Sequence, residues 1–154
     1  LPPSQLGLYM GSITGAFLVG SFISNRLAKH TTSTKLVLAG RIVSVSGLSL
    51  GLIIVMSGNI TSLSIFGSTI FIGLGNGMSL PSCYVGVMNV RSDLAGSAAG
   101  LSGAMGVAAG AILASMMAAI LTENNAAFGF LTFLLVAKII SLAGAILAHN
   151  LERS

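Results

Sequence analysis

The sequence predicts an all-α integral membrane protein of five transmembrane helices, and three observations carry that prediction. Only 10 of the 154 residues are charged, 7 basic and 3 acidic, whereas a soluble domain carries roughly a quarter. Hydrophobic residues make up 54% of the chain and the mean hydropathy is +0.98, with 20 glycines, a frequency normal for packed membrane helices. Finally, the uncharged stretches are long enough to cross a bilayer, which takes about 20 apolar residues at a rise of about 1.5 Å each.

Leu1 to Asn25 is an uncharged run of 25 residues, and the first helix is placed within it at about 6–25. Ile42 to Val90 is a run of 49 residues, too long for one crossing and about right for two. The turn formers inside it, Ser57-Gly58-Asn59-Ile60-Thr61-Ser62, mark the break, giving a second helix at about 36–57 and a third at about 62–89. Leu94 to Thr122 is a run of 29 residues holding a fourth helix at about 95–121. The tail from Ala126 to Ala148, apolar except for Lys138, makes a fifth at about 126–148. Residues 1–154 are read as a single membrane domain with short connections.

Alternation of the spans puts the first loop, the third loop and the C-terminus on one side. Arg26, Lys29, Lys35, Arg41, Arg91 and Arg153 fall on that side or within snorkelling reach of it. The opposite side has no Lys or Arg and carries Glu123. The basic side is therefore expected to be cytoplasmic, with residue 1 outside. The net charge of +4 records topology, and no nucleic-acid partner is expected. Leu1-Pro2-Pro3-Ser4-Gln5 reads like the tail of a loop, without the basic segment and cleavage site of a signal peptide. The expectation is a fragment with further chain upstream.

No catalytic centre is legible, and an enzyme is not expected. Gly73-Leu74-Gly75-Asn76-Gly77 superficially matches a dinucleotide-binding loop, but that motif needs a preceding strand and an acidic residue about 20 positions later. Here it lies inside an apolar helix, where small residues read as close packing surfaces. Serines are plentiful, yet a nucleophilic Ser needs a base with an orienting partner, and His30 and His149 sit near helix ends. Cys83 is the sole cysteine and no predicted span contains a carboxylate. No metal and no cofactor is expected.

The third and fourth helices are the informative ones. Pro81 removes a backbone hydrogen bond from the third and should kink or loosen it; in a membrane the freed groups must be satisfied by protein or a water-filled cavity. Asn76, Ser79, Ser82 and Tyr84 surround the break, either presenting polar groups to a cavity or bonding neighbouring helices together. The fourth helix carries Gly96, Gly100, Gly103, Gly106 and Gly110, with GxxxG spacing at 96/100 and 106/110, which lets two backbones approach closely.

The stretch Gly73-Leu-Gly-Asn-Gly-Met-Ser-Leu-Pro81, followed by Asp93-Leu-Ala-Gly-Ser-Ala-Ala-Gly-Leu101, resembles the tenth and eleventh helices of major facilitator superfamily transporters. It is most similar to drug–proton antiporters of the Bcr/CflA type. Ser21-Phe-Ile-Ser-Asn25-Arg26-Leu-Ala28-Lys29-His30 resembles the second copy of the superfamily's cytoplasmic loop motif. Arg26 and Lys29 match its basic positions, while Asn25 and Ala28 stand where the first copy has Asp and Gly. Arg91 and Asp93 fall in the next cytoplasmic loop of the same mapping.

The resemblance implies helices eight to twelve of a twelve-helix secondary transporter in a cell membrane, such as a bacterial inner membrane, working by alternating access. Its partners would be the lipid bilayer, the N-terminal transporter half, a small amphipathic or polar substrate, and protons exchanged for it. The third helix here would line the central cavity, the first and fourth would lie between halves, and the second and fifth would be peripheral. The proton-carrying carboxylate would belong to the other half. A different class also fits the residues: a small non-catalytic membrane subunit or scaffold that packs against partner helices.

Lys138 is the one ionisable residue near mid-membrane, where a charge costs on the order of 3 kcal/mol. Three readings stay open. It faces the protein interior and bonds carbonyls or hydroxyls, with Ser141 a local candidate; or it pairs with a carboxylate of the other half or takes part in proton coupling; or its helix is shifted so that it is wetter.

Overall fold

The computed structural model describes residues 3–58, 61–90, 94–121 and 126–151. They form five α-helices: α1 (Pro3–Leu27), α2 (Ser33–Met56), α3 (Ser62–Val90), α4 (Ala95–Ile120) and α5 (Ala126–Leu151). Each is long and apolar enough to cross a membrane. No strand occurs among the described residues. Helices α1, α2 and α5 run two to three residues past the sequence-read limits at their polar ends. Loss of apolar character marks where lipid ends, whereas a helix continues until its backbone is capped or turned.

The α2–α3 turn has identifiable causes. Gly58 takes φ +87°, a conformation that costs glycine little, and its N–H donates to the Val55 carbonyl. On the far side Thr61 and Ser64 cap α3 reciprocally. The Ser64 N–H donates to Thr61 Oγ1 at 3.1 Å and the Thr61 N–H to Ser64 Oγ at 3.0 Å, a capping box with Ser in the usual Glu position. Asn59 and Ile60 lie outside the described residues.

Helix α3 is the hub. It packs lengthwise on α1 and on α2, α5 lies against α2, and α4 touches α3 lightly. The order of contacts fixes direction: Tyr9 stacks on Phe66 with ring centroids 4.6 Å apart, and further along Ser24 meets Met78 and Ser82, so α1 and α3 run parallel. Gly40 meets Gly75 while Gly51 meets Ser68, so α2 runs antiparallel to α3.

Apolar packing is concentrated where α5 meets α2. Leu48, Val55 and Leu131 are buried there, with Leu52, Ile72, Phe130, Leu134 and Leu135 around them. Elsewhere buried hydroxyls predominate, with Ser24, Ser44, Ser68, Thr69, Ser79 and Ser82 buried beside Leu36 and Met78. Lipid is as apolar as leucine, so membrane helices associate through close backbone approach and polar bonds rather than through hydrophobic contrast. The α1–α3 and α2–α3 seams follow that physics.

Candidate functional site

Close approach takes place on α3. A Cβ added to Gly73 would meet the Ile13 carbonyl of α1, one on Gly77 the Phe17 carbonyl of α1, and one on Gly75 the Gly40 carbonyl of α2. The Gly-x-Gly-x-Gly run thus serves two neighbours, with 73 and 77 toward α1 and 75 toward α2. On α4, by contrast, Gly96, Gly100, Gly106 and Gly110 have no described neighbour within 4 Å, and Gly103 faces only the Tyr84 hydroxyl at 3.9 Å. No residue of α4 is buried among those described.

Pro81 sits inside an α3 that stays helical from Ser62 to Val90. Lacking an N–H, it leaves the Gly77 carbonyl without its intrahelical donor. The Ser21 hydroxyl of α1 donates to that carbonyl at 3.2 Å. One residue on, the Ser24 hydroxyl donates to the Met78 carbonyl at 2.9 Å and lies 3.3 Å from Ser82 Oγ. The proline break is therefore sealed by hydroxyls from the neighbouring helix, as a membrane interior requires. Beside it opens a cavity of about 310 Å³ lined by Ser21, Ser24, Asn25, Ser33, Pro81 and Ser82 among others.

The sequence-read candidates divide around this site. Pro81 and Ser82 line the cavity. Ser79 is fully buried and bonds the Gly75 carbonyl at 2.7 Å and the Val37 carbonyl of α2 at 3.4 Å, so it joins helices. Tyr84 is 37% exposed and looks toward α4. Asn25, which also lines the first cavity, joins Arg26 and Lys29, with Phe22 and His30, around a second cavity of about 450 Å³ at the end of α1, where the Arg26 guanidinium lies 5.2 Å from the Phe22 ring centre. Arg91 and Asp93 lie outside the described residues.

Asn76 belongs to a different cluster, at the junction of α2, α3 and α5. The Lys138 ammonium of α5 donates to Asn76 Oδ1 at 2.7 Å, and Arg41 Nη1 of α2 approaches the same oxygen at 3.5 Å. Lys138 thus faces the protein interior, but its partner is an amide on α3 rather than Ser141. Arg41, grouped by the sequence with the basic surface, turns inward instead, and its Nε is buried without a hydrogen-bond partner among the described residues. Two cations that share one acceptor oxygen repel each other, and a neutral amide offsets that repulsion only in part because it carries no net charge.

Ser21, Ser24 and Arg41 are the members that sequence reasoning missed. Gly20 and Ser24 share one face of α1 at i, i+4 spacing, a small-residue stripe that marks a packing face. Arg41 lies eight residues inside α2 once its start at Ser33 is known, about 12 Å along the axis.

No known family model matches the chain, and no solved structure matches it. The chain is 33% identical over 150 residues to solute carrier family 40 member 2, chloroplastic, of Oryza sativa subsp. japonica. The match covers 94% of this chain and 24% of that protein. The chain is a membrane protein. It is similar to a solute carrier and spans about a quarter of that relative's length.

Proposed function

We propose that these five helices form part of a secondary active transporter of the major facilitator type, whose remaining helices lie outside these 154 residues. It exports small amphipathic or polar compounds in exchange for protons by alternating access, as in the Bcr/CflA branch. One observation carries the reading: α3 stays helical through Pro81, and the carbonyl that Pro81 frees is bonded by Ser21 of α1 beside a cavity of about 310 Å³ whose lining places Ser21, Ser24 and Ser82 among apolar side chains, the mixture of a mostly apolar wall and a few polar groups that suits a small amphipathic ligand. The open glycine face of α4 suits contact with further helices, and the similarity to a solute carrier points the same way. The described residues of the five helices carry no acidic side chain, and in this reading the proton carrier belongs to the rest of the transporter.

The test is transport by the full-length protein in proteoliposomes under an imposed proton gradient, with a fluorescent amphipathic cation as cargo. Gradient-dependent movement, with KM raised several-fold in Ser82→Val, is the expected result. Absence of movement across a panel of amphipathic cations, anions and neutral compounds would overturn the reading in favour of a packing subunit.

A further inference from the structure

Arg41 and Lys138 come from helices that the chain separates by almost a hundred residues, yet both reach one oxygen of Asn76. An amide oxygen can accept two hydrogen bonds but brings no charge. Inside a membrane such cations are ordinarily paired with an anion. The described residues of its five helices supply none, and Asp93, Glu123 and Glu152 lie outside the described residues. Asn76 uses Nη1 of Arg41, and Nε is without a partner among the described residues. Nε and Nη2 form the edge of a guanidinium that matches the two oxygens of a carboxylate. Both Arg41 and Lys138 keep part of their surface exposed, so the pair is not sealed on all sides.

We propose that Arg41 and Lys138, held together by Asn76, form an intramembrane site for one carboxylate. The guanidinium offers its Nε and Nη2 edge to the two oxygens, the ammonium supplies the second positive charge, and Asn76 fixes both cations in place. The carboxylate comes either from a small molecule or from an acidic side chain elsewhere in the full-length protein. The inference stands on the geometry of α2, α3 and α5 and does not depend on transport.

Asn76→Asp is the informative substitution, because it places a carboxylate of the same shape between the two cations. The measurement is the thermal unfolding midpoint of the full-length protein in detergent, with acetate replacing a bulky sulfonate at constant ionic strength. With a small-molecule occupant, acetate raises the wild-type midpoint saturably by several degrees, and Asn76→Asp and Lys138→Met lose that response. With an occupant from the protein itself, acetate has no effect and both substitutions lower the midpoint, since one repels the resident carboxylate and the other leaves it half-paired. Either result sustains the site and identifies its source. An acetate-insensitive wild type in which both substitutions raise the midpoint, or leave it unchanged, overturns the proposal. Should Asn76→Asp fail to fold, Lys138→Met and Lys138→Gln give the same readout.

Discussion

Adding a single methyl group at Gly77 is expected to separate α1 from α3. Its Cβ would run into the Phe17 carbonyl and lie 2.9 Å from both the Phe17 carbonyl carbon and the Ser21 nitrogen. These are backbone atoms of a continuous helix, so no side chain can swing aside and α1 has to shift as a body. Overpacking of this kind costs about 1–3 kcal/mol. The shift also weakens the Ser21 bond to Gly77 and the Ser24 bond to Met78, each worth about 1 kcal/mol net. The better helix propensity of Ala returns about 1 kcal/mol. Gly77→Ala should therefore destabilise by about 2–4 kcal/mol, with the sum set by the contacts rather than by propensity. Gly110→Ala on α4, with no described neighbour within 4 Å, keeps the propensity gain alone and should be neutral or stabilising by up to about 1 kcal/mol. Reversible unfolding in mixed micelles, titrated with sodium dodecyl sulfate, reads both. If Gly77→Ala is as stable as wild type, or the two variants move together, the account of the α1–α3 seam is wrong.

Other consequences can be checked in the same preparations. Ser24→Ala removes the hydroxyl that joins Met78 and Ser82 and should cost about 1–2 kcal/mol. Ser115→Ala, whose hydroxyl bonds Ala111 on its own helix and nothing else among the described residues, should be silent in the same unfolding assay. Replacing Gly100 or Gly106 with Leu should lower assembly or transport of the full-length protein if α4 packs against further helices, whereas conservative changes at Ile112 or Leu113 should matter little; equal tolerance would mean that these glycines are incidental. Reporter fusions should read cytoplasmic at His30, Val90 and Ser154 and external at Asn59 and Asn124, following the basic side, and an external signal after Val90 would break the alternation.

The number of helices, their approximate limits and the α2–α3 turn are legible in the sequence because lipid imposes them. A charge or an uncapped backbone group in hydrocarbon costs several kcal/mol, so the uncharged runs had to be spans, and Ser57 to Ser62 had to contain the turn. Which face of each helix meets which neighbour is not written that way. Lipid tails and protein interior are about equally apolar, so the polar stripe that orients a soluble helix is missing. Glycine spacing shows where helices can approach, and it does so equally on α3 and α4. Only tertiary structure decides that Gly73, Gly75 and Gly77 are filled by α1 and α2 while the α4 glycines stand open. The same holds for charge. Lys138 was visible as a cost without a partner, and Arg41 was read as a surface residue. Their meeting at Asn76 depends on the rotation of three helices about their axes, which the close packing of Gly40 on Gly75 and of Leu131 beside Leu48 and Val55 sets.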